Sequence, residues 1–195
     1  MKAIFIVALL VTTLSVQPLQ SQTKAQEERN NTLSLNIPRL FVNTFNISYE
    51  RMTENNTSAF ISGSLTFKDD NYVEKHGWSV ELQYRFYSSI NRDKIFQGSF
   101  VAPYIGNRYI DIRRYQSGPW PPQNGTKRHE YYNTITGGIV GGFRVAIMQS
   151  LVLSFELGGG IRYTTGTETK STQNIMDYGY SGISPKFEFS IGTFF

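Results

Sequence analysis

The sequence predicts an all-β protein: an eight-stranded antiparallel up-and-down transmembrane β-barrel, preceded by a signal peptide. Three observations lead there. Alternation of apolar and polar residues recurs along the chain, the last such stretch runs out to an aromatic at Phe195, and the first residues have the form of an export leader. In that last stretch Phe187, Phe189, Ile191, Thr193 and Phe195 share one parity, while Lys186, Glu188, Ser190 and Gly192 share the other. Successive side chains of a strand point to opposite faces, so this segment has one oily side and one wet side. In water an amphipathic strand ending on Phe would fray. In a membrane barrel its oily side is buried in lipid.

The leader comes first. Met1-Lys2 is a short positive start, and Ala3–Val16 is an apolar run of the length secretory signals use. Cleavage fits after Ser21 or as late as Ala25, giving a signal peptide over residues 1–21, a polar lead-in over 22–31 and a barrel over 32–195. An uncleaved anchor is the lesser reading, because a spanning helix needs about 18 apolar residues or more. Composition narrows the classes further. The chain has no cysteine, so no disulfide framework, thiolate metal site or thiol nucleophile is available. Aromatics make up 14% of the residues although the mean hydropathy is negative. Alternating strands with one lipid-facing side give that combination, and a disordered polar chain does not. The formal net charge of +4 is scattered, with no nucleic-acid footprint.

Parity then locates the strands. Thr32–Ile37 is the first and weakest, with Leu33, Leu35 and Ile37 opposite Ser34 and Asn36; Pro38-Arg39 reads as its tight turn. Phe41, Phe45, Ile47 and Tyr49 follow opposite Thr44, Asn46, Ser48 and Glu50, then Ala59, Ile61, Leu65 and Phe67 opposite Ser62, Ser64 and Thr66. The clearest strand sets Trp78, Val80, Leu82, Tyr84 and Phe86 against Ser79, Glu81, Gln83 and Arg85. Residues 97–110 read as a strand whose faces stay unassigned, since Pro103 interrupts the pattern. Ile135, Ile139, Phe143 and Val145 oppose Thr134, Thr136 and Arg144, and Leu151, Leu153, Phe155, Leu157, Ile161 and Tyr163 oppose Ser154, Glu156 and Arg162. With Phe195 on the inner side, the links at 53–56, 88–96 and 147–150 fall inside as short turns. Those at 68–76, 111–130 and 164–181 fall outside as longer loops, the arrangement expected of such barrels.

An eight-stranded bore is just wide enough to be filled by side chains. The inward parity carries Glu50, Glu81, Glu156 and Glu188 together with Arg85, Arg144, Arg162 and Lys186. Acids and bases balance, so an interior charge network is expected, plugging the bore. Glycines at 137, 138, 141, 142 and 158–160 read as room for long neighbours and relief of curvature, not as a phosphate loop, because no Gly-Lys-Ser/Thr follows. Phe67, Trp78, Tyr131 and Tyr163 at outer ends, and Tyr49, Phe86 and Phe195 at inner ends, form two aromatic girdles. A soluble lipocalin-type barrel would put its oily face inside; parity alone does not say which face is enclosed, and the girdles and the terminal Phe favour the membrane.

On these features the chain resembles the small eight-stranded outer-membrane barrels of the OmpA/OmpX type. More narrowly, Leu35-Asn-Ile-Pro, Phe45-Asn-Ile-Ser-Tyr-Glu-Arg51 and Gly137-Gly-Ile-Val-Gly-Gly-Phe143 resemble a family of Bacteroidetes-type outer-membrane proteins of unknown function. The likeness runs from Thr32 to Phe195. It implies the outer membrane of a Gram-negative bacterium, contact with outer-membrane lipid and lipopolysaccharide, and assembly by the barrel-assembly machinery, for which Phe195 is the C-terminal signal. The periplasmic domain by which OmpA-type relatives tether the envelope is not expected, as the sequence stops at Phe195.

Little chemistry is expected. A lipid-A-modifying site would need His76 or His129, and Asp69, Asp70, His76 and Ser79 are the conceivable set; no nucleophile motif surrounds either histidine, and two histidines are too few for a metal. No catalytic residue, cofactor or metal ligand is expected. The stretch Arg113 to His129, with Arg113, Arg114, Lys127 and Arg128 flanking a Pro-Trp-Pro-Pro tip at Trp120, is the candidate surface contact, for lipopolysaccharide phosphates or adhesion. The expected function is that of a monomeric, plugged barrel with a structural or surface-interaction role. A small-solute pore, a lipid-modifying enzyme and a soluble ligand-binding barrel are the alternatives.

Overall fold

The computed structural model describes residues 30–53, 56–70, 73–88, 98–115, 127–147, 150–167, 175 and 177–195. Its strands are β1 (Asn31–Asn36), β2 (Thr44–Met52), β3 (Thr57–Asp70), β4 (Val73–Tyr87), β5 (Gly98–Tyr115), β6 (Lys127–Ala146), β7 (Leu151–Gly166) and β8 (Gly182–Phe194), with one short helix, α1 (Ile37–Phe41), between β1 and β2. Each strand pairs antiparallel with the next, and β1 pairs with β8, with Leu33 opposite Thr193. The result is a closed eight-stranded up-and-down barrel without a free edge along its wall. The expected fold class holds.

The polarity of the wall is inverted relative to a soluble barrel. Outward-facing Ile139, Leu157, Phe187 and Val80 are 62%, 60%, 59% and 41% exposed, whereas inward-facing Arg85, Glu50 and Glu156 are 0%, 1% and 3% exposed. The alternation that marks β2, β3, β4, β7 and β8 therefore has its oily side outward in every case. Both expected girdles lie on that side: Phe67, Trp78, Tyr131 and Tyr163 towards one rim, and Phe86 and Phe195 towards the other. Tyr49 donates to the Asn31 Oδ1 at 2.7 Å and packs its ring on Phe195.

Several boundaries differ from the sequence reading. Ile37, Pro38 and Phe41 belong to α1, not to strands or a tight turn: Pro38 pre-sets the first helical turn, and the Asn36 Oδ1 accepts from the Arg39 N–H at 3.3 Å. On the outer side the strands run on through stretches expected to be loops. Lys68–Asp70 and Val73–His76 pair with each other, and Asp111–Tyr115 pair with Lys127–Tyr131. Two residues separate β3 from β4 on the outer side and residues 88–97 separate β4 from β5 on the inner side, but the other outer links, 116–126 and 167–181, are longer than the other inner ones, 53–56 and 147–150. At about 3.4 Å per residue and a tilt near 45°, the 20-residue β6 rises about 48 Å, well beyond the roughly 25 Å apolar band of such barrels.

The faces of β5 resolve as well. Phe100, Ala102, Tyr104, Ile110 and Ile112 point inward and are buried, while Val101 and Ile105 point outward. With Tyr87 and Val140, the first three form an apolar floor in the inner half of the bore. The Phe100 ring lies over Gly142, where a Cβ would fall within 2.8 Å of its Cε2. So Gly142 leaves space for an aromatic ring, not for the arginine or glutamate expected, and Gly137, Gly141 and Gly159 lie on the outward parity. Gly142→Val is expected to cost about 1–3 kcal/mol by overpacking, read as a lower urea midpoint for the detergent-folded barrel; an unchanged midpoint would show that the ring moves aside freely.

Candidate interior charge network and outer-end clusters

Because inward positions recur at every second residue of each strand, a closed barrel delivers side chains from all eight walls into one narrow space. In its inner half Arg85 is the hub. Its Nη1 donates to the Glu50 Oε2 at 2.7 Å, its Nη2 donates to the Glu156 Oε1, and its Nε donates to the Gln83 Oε1 at 2.8 Å. The guanidinium is sandwiched between the rings of Phe60 and Phe100, 3.8 and 4.5 Å from their centroids. Arg144 reaches the same Glu50 Oε2 at 2.7 Å and donates to the Ser154 Oγ at 3.0 Å. Tyr87 and Ser58 donate to the other Glu50 oxygen. Gln83 links the halves, giving its amide to Glu81 at 2.7 Å and to Glu156 at 3.0 Å. Lys186 pairs with Glu81 and lies 3.8 Å from Glu156.

Three acids (Glu50, Glu81, Glu156) thus face three bases (Arg85, Arg144, Lys186), with their remaining lone pairs and protons largely occupied. That condition allows ionised groups to stay buried. Glu188 stands apart from this set and pairs with Arg39 of α1, tying the helix across the mouth of the barrel to β8. Arg162 stands apart too: its Nη2 donates to the backbone carbonyls of Ile175 and Asp177, at 2.6 and 2.7 Å. Sequence reasoning did not find Arg39, Ser58, Phe60, Gln83 or Tyr87. The last four lie on the inward parity and were open to detection there; Arg39 was hidden by reading α1 as a turn.

The outer ribbon carries the other candidates. His76 and Ser79 were set together as a conceivable site, but they stand on opposite faces of β4. The Ser79 Oγ bonds to the Ser64 Oγ inside, and the His76 Nε2 lies 3.3 Å from Asp69 outside, while Asp70 lies 3.9 Å from Lys68. No Ser–His–acid relay forms from them. His129 contacts Asp111 at 2.7 Å on the ladder, not in a loop, and no cluster of three or more potential metal-binding side chains occurs among the described residues. Of the candidate contact stretch, Arg113 approaches Asp111 and Glu74, and Arg114 and Arg128 converge on Glu130 at 3.7 and 2.7 Å. These bases are held in the ribbon by acids. Trp120 and the side chain of Lys127 lie outside the described residues, as does the leader.

Fold and interior together define a class: a closed antiparallel eight-stranded barrel, apolar without and ion-paired within. A family model described as "Protein of unknown function (DUF3575)" matches residues 4–179, and the chain belongs to that family. Among solved structures, the N-terminal β-barrel domain of Pseudomonas aeruginosa OprF is similar at 12% identity, covering 86% of this chain and 98% of that one, with a TM-score of 0.38. No curated protein matches the chain.

Proposed function

We propose that the protein is an integral barrel of a Gram-negative outer membrane, exported through a cleaved leader, with a structural or surface-interaction role and no through-conduit for solutes. The observation that carries this reading is the inverted wall: a mainly apolar exterior, broken by the mutually bonded Asn107 and Asn133, around a bore whose inner half holds Arg85, Glu50, Val140 and Val152 at 2% exposure or less. An apolar band of that extent is costly in water and is matched by acyl chains. A sealed, charge-balanced lining argues against a pore, since ions would have to displace a bonded network. Lipid and lipopolysaccharide are then its surroundings, the barrel-assembly machinery reads the strand ending at Phe195, and the chain acts as a monomer. The outer ribbon, with its paired Arg114, Arg128 and Glu130, is the surface available for contact.

Fractionation tests location and barrel together. The protein is expected in the outer-membrane fraction, migrating faster on gels before boiling than after. Recovery in the soluble periplasm without detergent would reject the membrane reading. In planar bilayers no sustained conductance is expected, and stable single-channel steps would reject the plugged bore.

A further inference from the structure

The two halves of the bore differ in how their cations are balanced. In the inner half every arginine and lysine of the network meets a carboxylate. Further out, three inward-parity cations rest on aromatic rings instead. The Arg108 guanidinium lies 5.4 Å from the Tyr178 centroid, Lys75 lies 4.4 Å from the same ring and donates to its hydroxyl, and Arg162 lies 4.8 Å from the Tyr180 centroid. Among the described residues none of the three forms an ion pair, although Asp177 is near enough to Arg162 for its charge to be felt. Arg162 also keeps its Nε buried without a hydrogen-bond partner. Arg39, nearby, is committed to Glu188 and adds its field at Arg108, as Arg162 does.

Unpaired cations drawn together inside a protein repel one another, and a ring face offsets only part of that. Among the described residues Lys75 and Arg108 therefore lack a paired carboxylate, and Arg162 has only the Asp177 charge nearby. Arg108 keeps solvent-exposed surface although it points into the bore, and its same-face neighbours are Gly106 and the buried Ile110 along β5 and Ser79 and Thr134 across the ladder. Planar guanidinium forks match two oxygens of a carboxylate or phosphate, and the hydroxyls nearby suit the remaining ones.

We propose that Lys75, Arg108 and Arg162 form a binding site for a small oxyanion, phosphate or carboxylate, in the outer half of the bore. The site depends on the barrel but not on which membrane holds it, so a failed fractionation would leave it standing. The ligand is a free solute anion; a lipid phosphate held at the wall is the competing source.

The test uses the full chain refolded in lauryldimethylamine oxide, with 15N-labelled arginine side chains observed by NMR at constant ionic strength. Titration with inorganic phosphate is expected to give saturable shifts at the Nε signals of Arg108 and Arg162. Arg108→Gln, checked for folding by its heat-dependent gel mobility, is expected to weaken binding by about tenfold or more, the loss of one charge-assisted pair. Arg108→Lys, which keeps the charge and so serves if the glutamine variant does not fold, is expected to weaken it less. Arg51→Gln, an exposed arginine near the opposite, inner end of β2, is expected to stay within about twofold of the parent. Linear shifts without saturation, equal shifts at all arginines, or equal losses in Arg51→Gln would overturn the site. A response to phosphatidylglycerol bicelles with none to free phosphate would overturn the solute reading.

Discussion

Arg85→Leu is expected to lower the stability of the folded barrel by about 3–5 kcal/mol, the usual cost of removing one member of a buried ion pair. The reason is what remains. Glu50 and Glu156 stay at 1% and 3% exposure; Glu50 would retain Arg144, but Glu156 would be left with the Gln83 amide and with Lys186 at 3.8 Å, which is already paired with Glu81. The rings of Phe60 and Phe100 would also lose the guanidinium between them. Urea titration of the detergent-refolded protein, followed by heat-dependent gel mobility, reads the change. A double variant in which Glu156 also becomes glutamine should recover a large part of the loss, because Glu50 keeps Arg144, Glu81 keeps Lys186 and a neutral amide needs no counter-charge. If Arg85→Leu alone left the midpoint unmoved, the network would be decoration on a barrel held by its ladder.

Ile139→Arg probes the outer face and is expected to cost about 2–4 kcal/mol for folding into phosphatidylcholine vesicles, the penalty of an arginine near mid-bilayer. Ile139 is 62% exposed, well inside β6, and lies opposite Pro103 and Gly159 with no polar neighbour to share the charge. The same change at Tyr131, in the outer aromatic ring, should cost only about 0–1 kcal/mol, since an arginine there reaches the headgroups. The difference between the two positions is the informative quantity. A barrel that lived in water would tolerate both equally, so a flat comparison would remove the lipid from around this wall.

These outcomes bear on how much the sequence revealed. Where one face is the exposed apolar exterior and the other lines the bore, contrast between neighbours is high, and Trp78–Phe86 and Leu151–Tyr163 were legible residue by residue. Between Phe100 and Ile105 that contrast vanishes: Phe100, Ala102 and Tyr104 line the floor while Val101, Pro103 and Ile105 face out, and both sets are apolar. Beyond the aromatic ring it vanishes in the opposite sense. Lys68–Asp70, Glu74–His76 and Arg113–Arg114 are polar on both faces because both meet water, so strand continuation there looked like loop. The charged lining was open to parity, but its pairings were not. Arg85 on β4 reaches Glu156 on β7 across the bore, and such a contact depends on strand tilt and stagger, which alternation does not encode.

The closing seam has a consequence of its own. The cylinder is completed by β1, six residues long, while β6 on the far side runs to twenty. A hoop fastened over so little of its height parts first along that hem when warmed, because the fewest ladder bonds must break there. The α1 helix and its Arg39–Glu188 tie sit at one end of this hem and the Phe195–Asn31 backbone pair at the other. The tall wall of β3 to β6 is then expected to keep its shape while the short side opens and recloses.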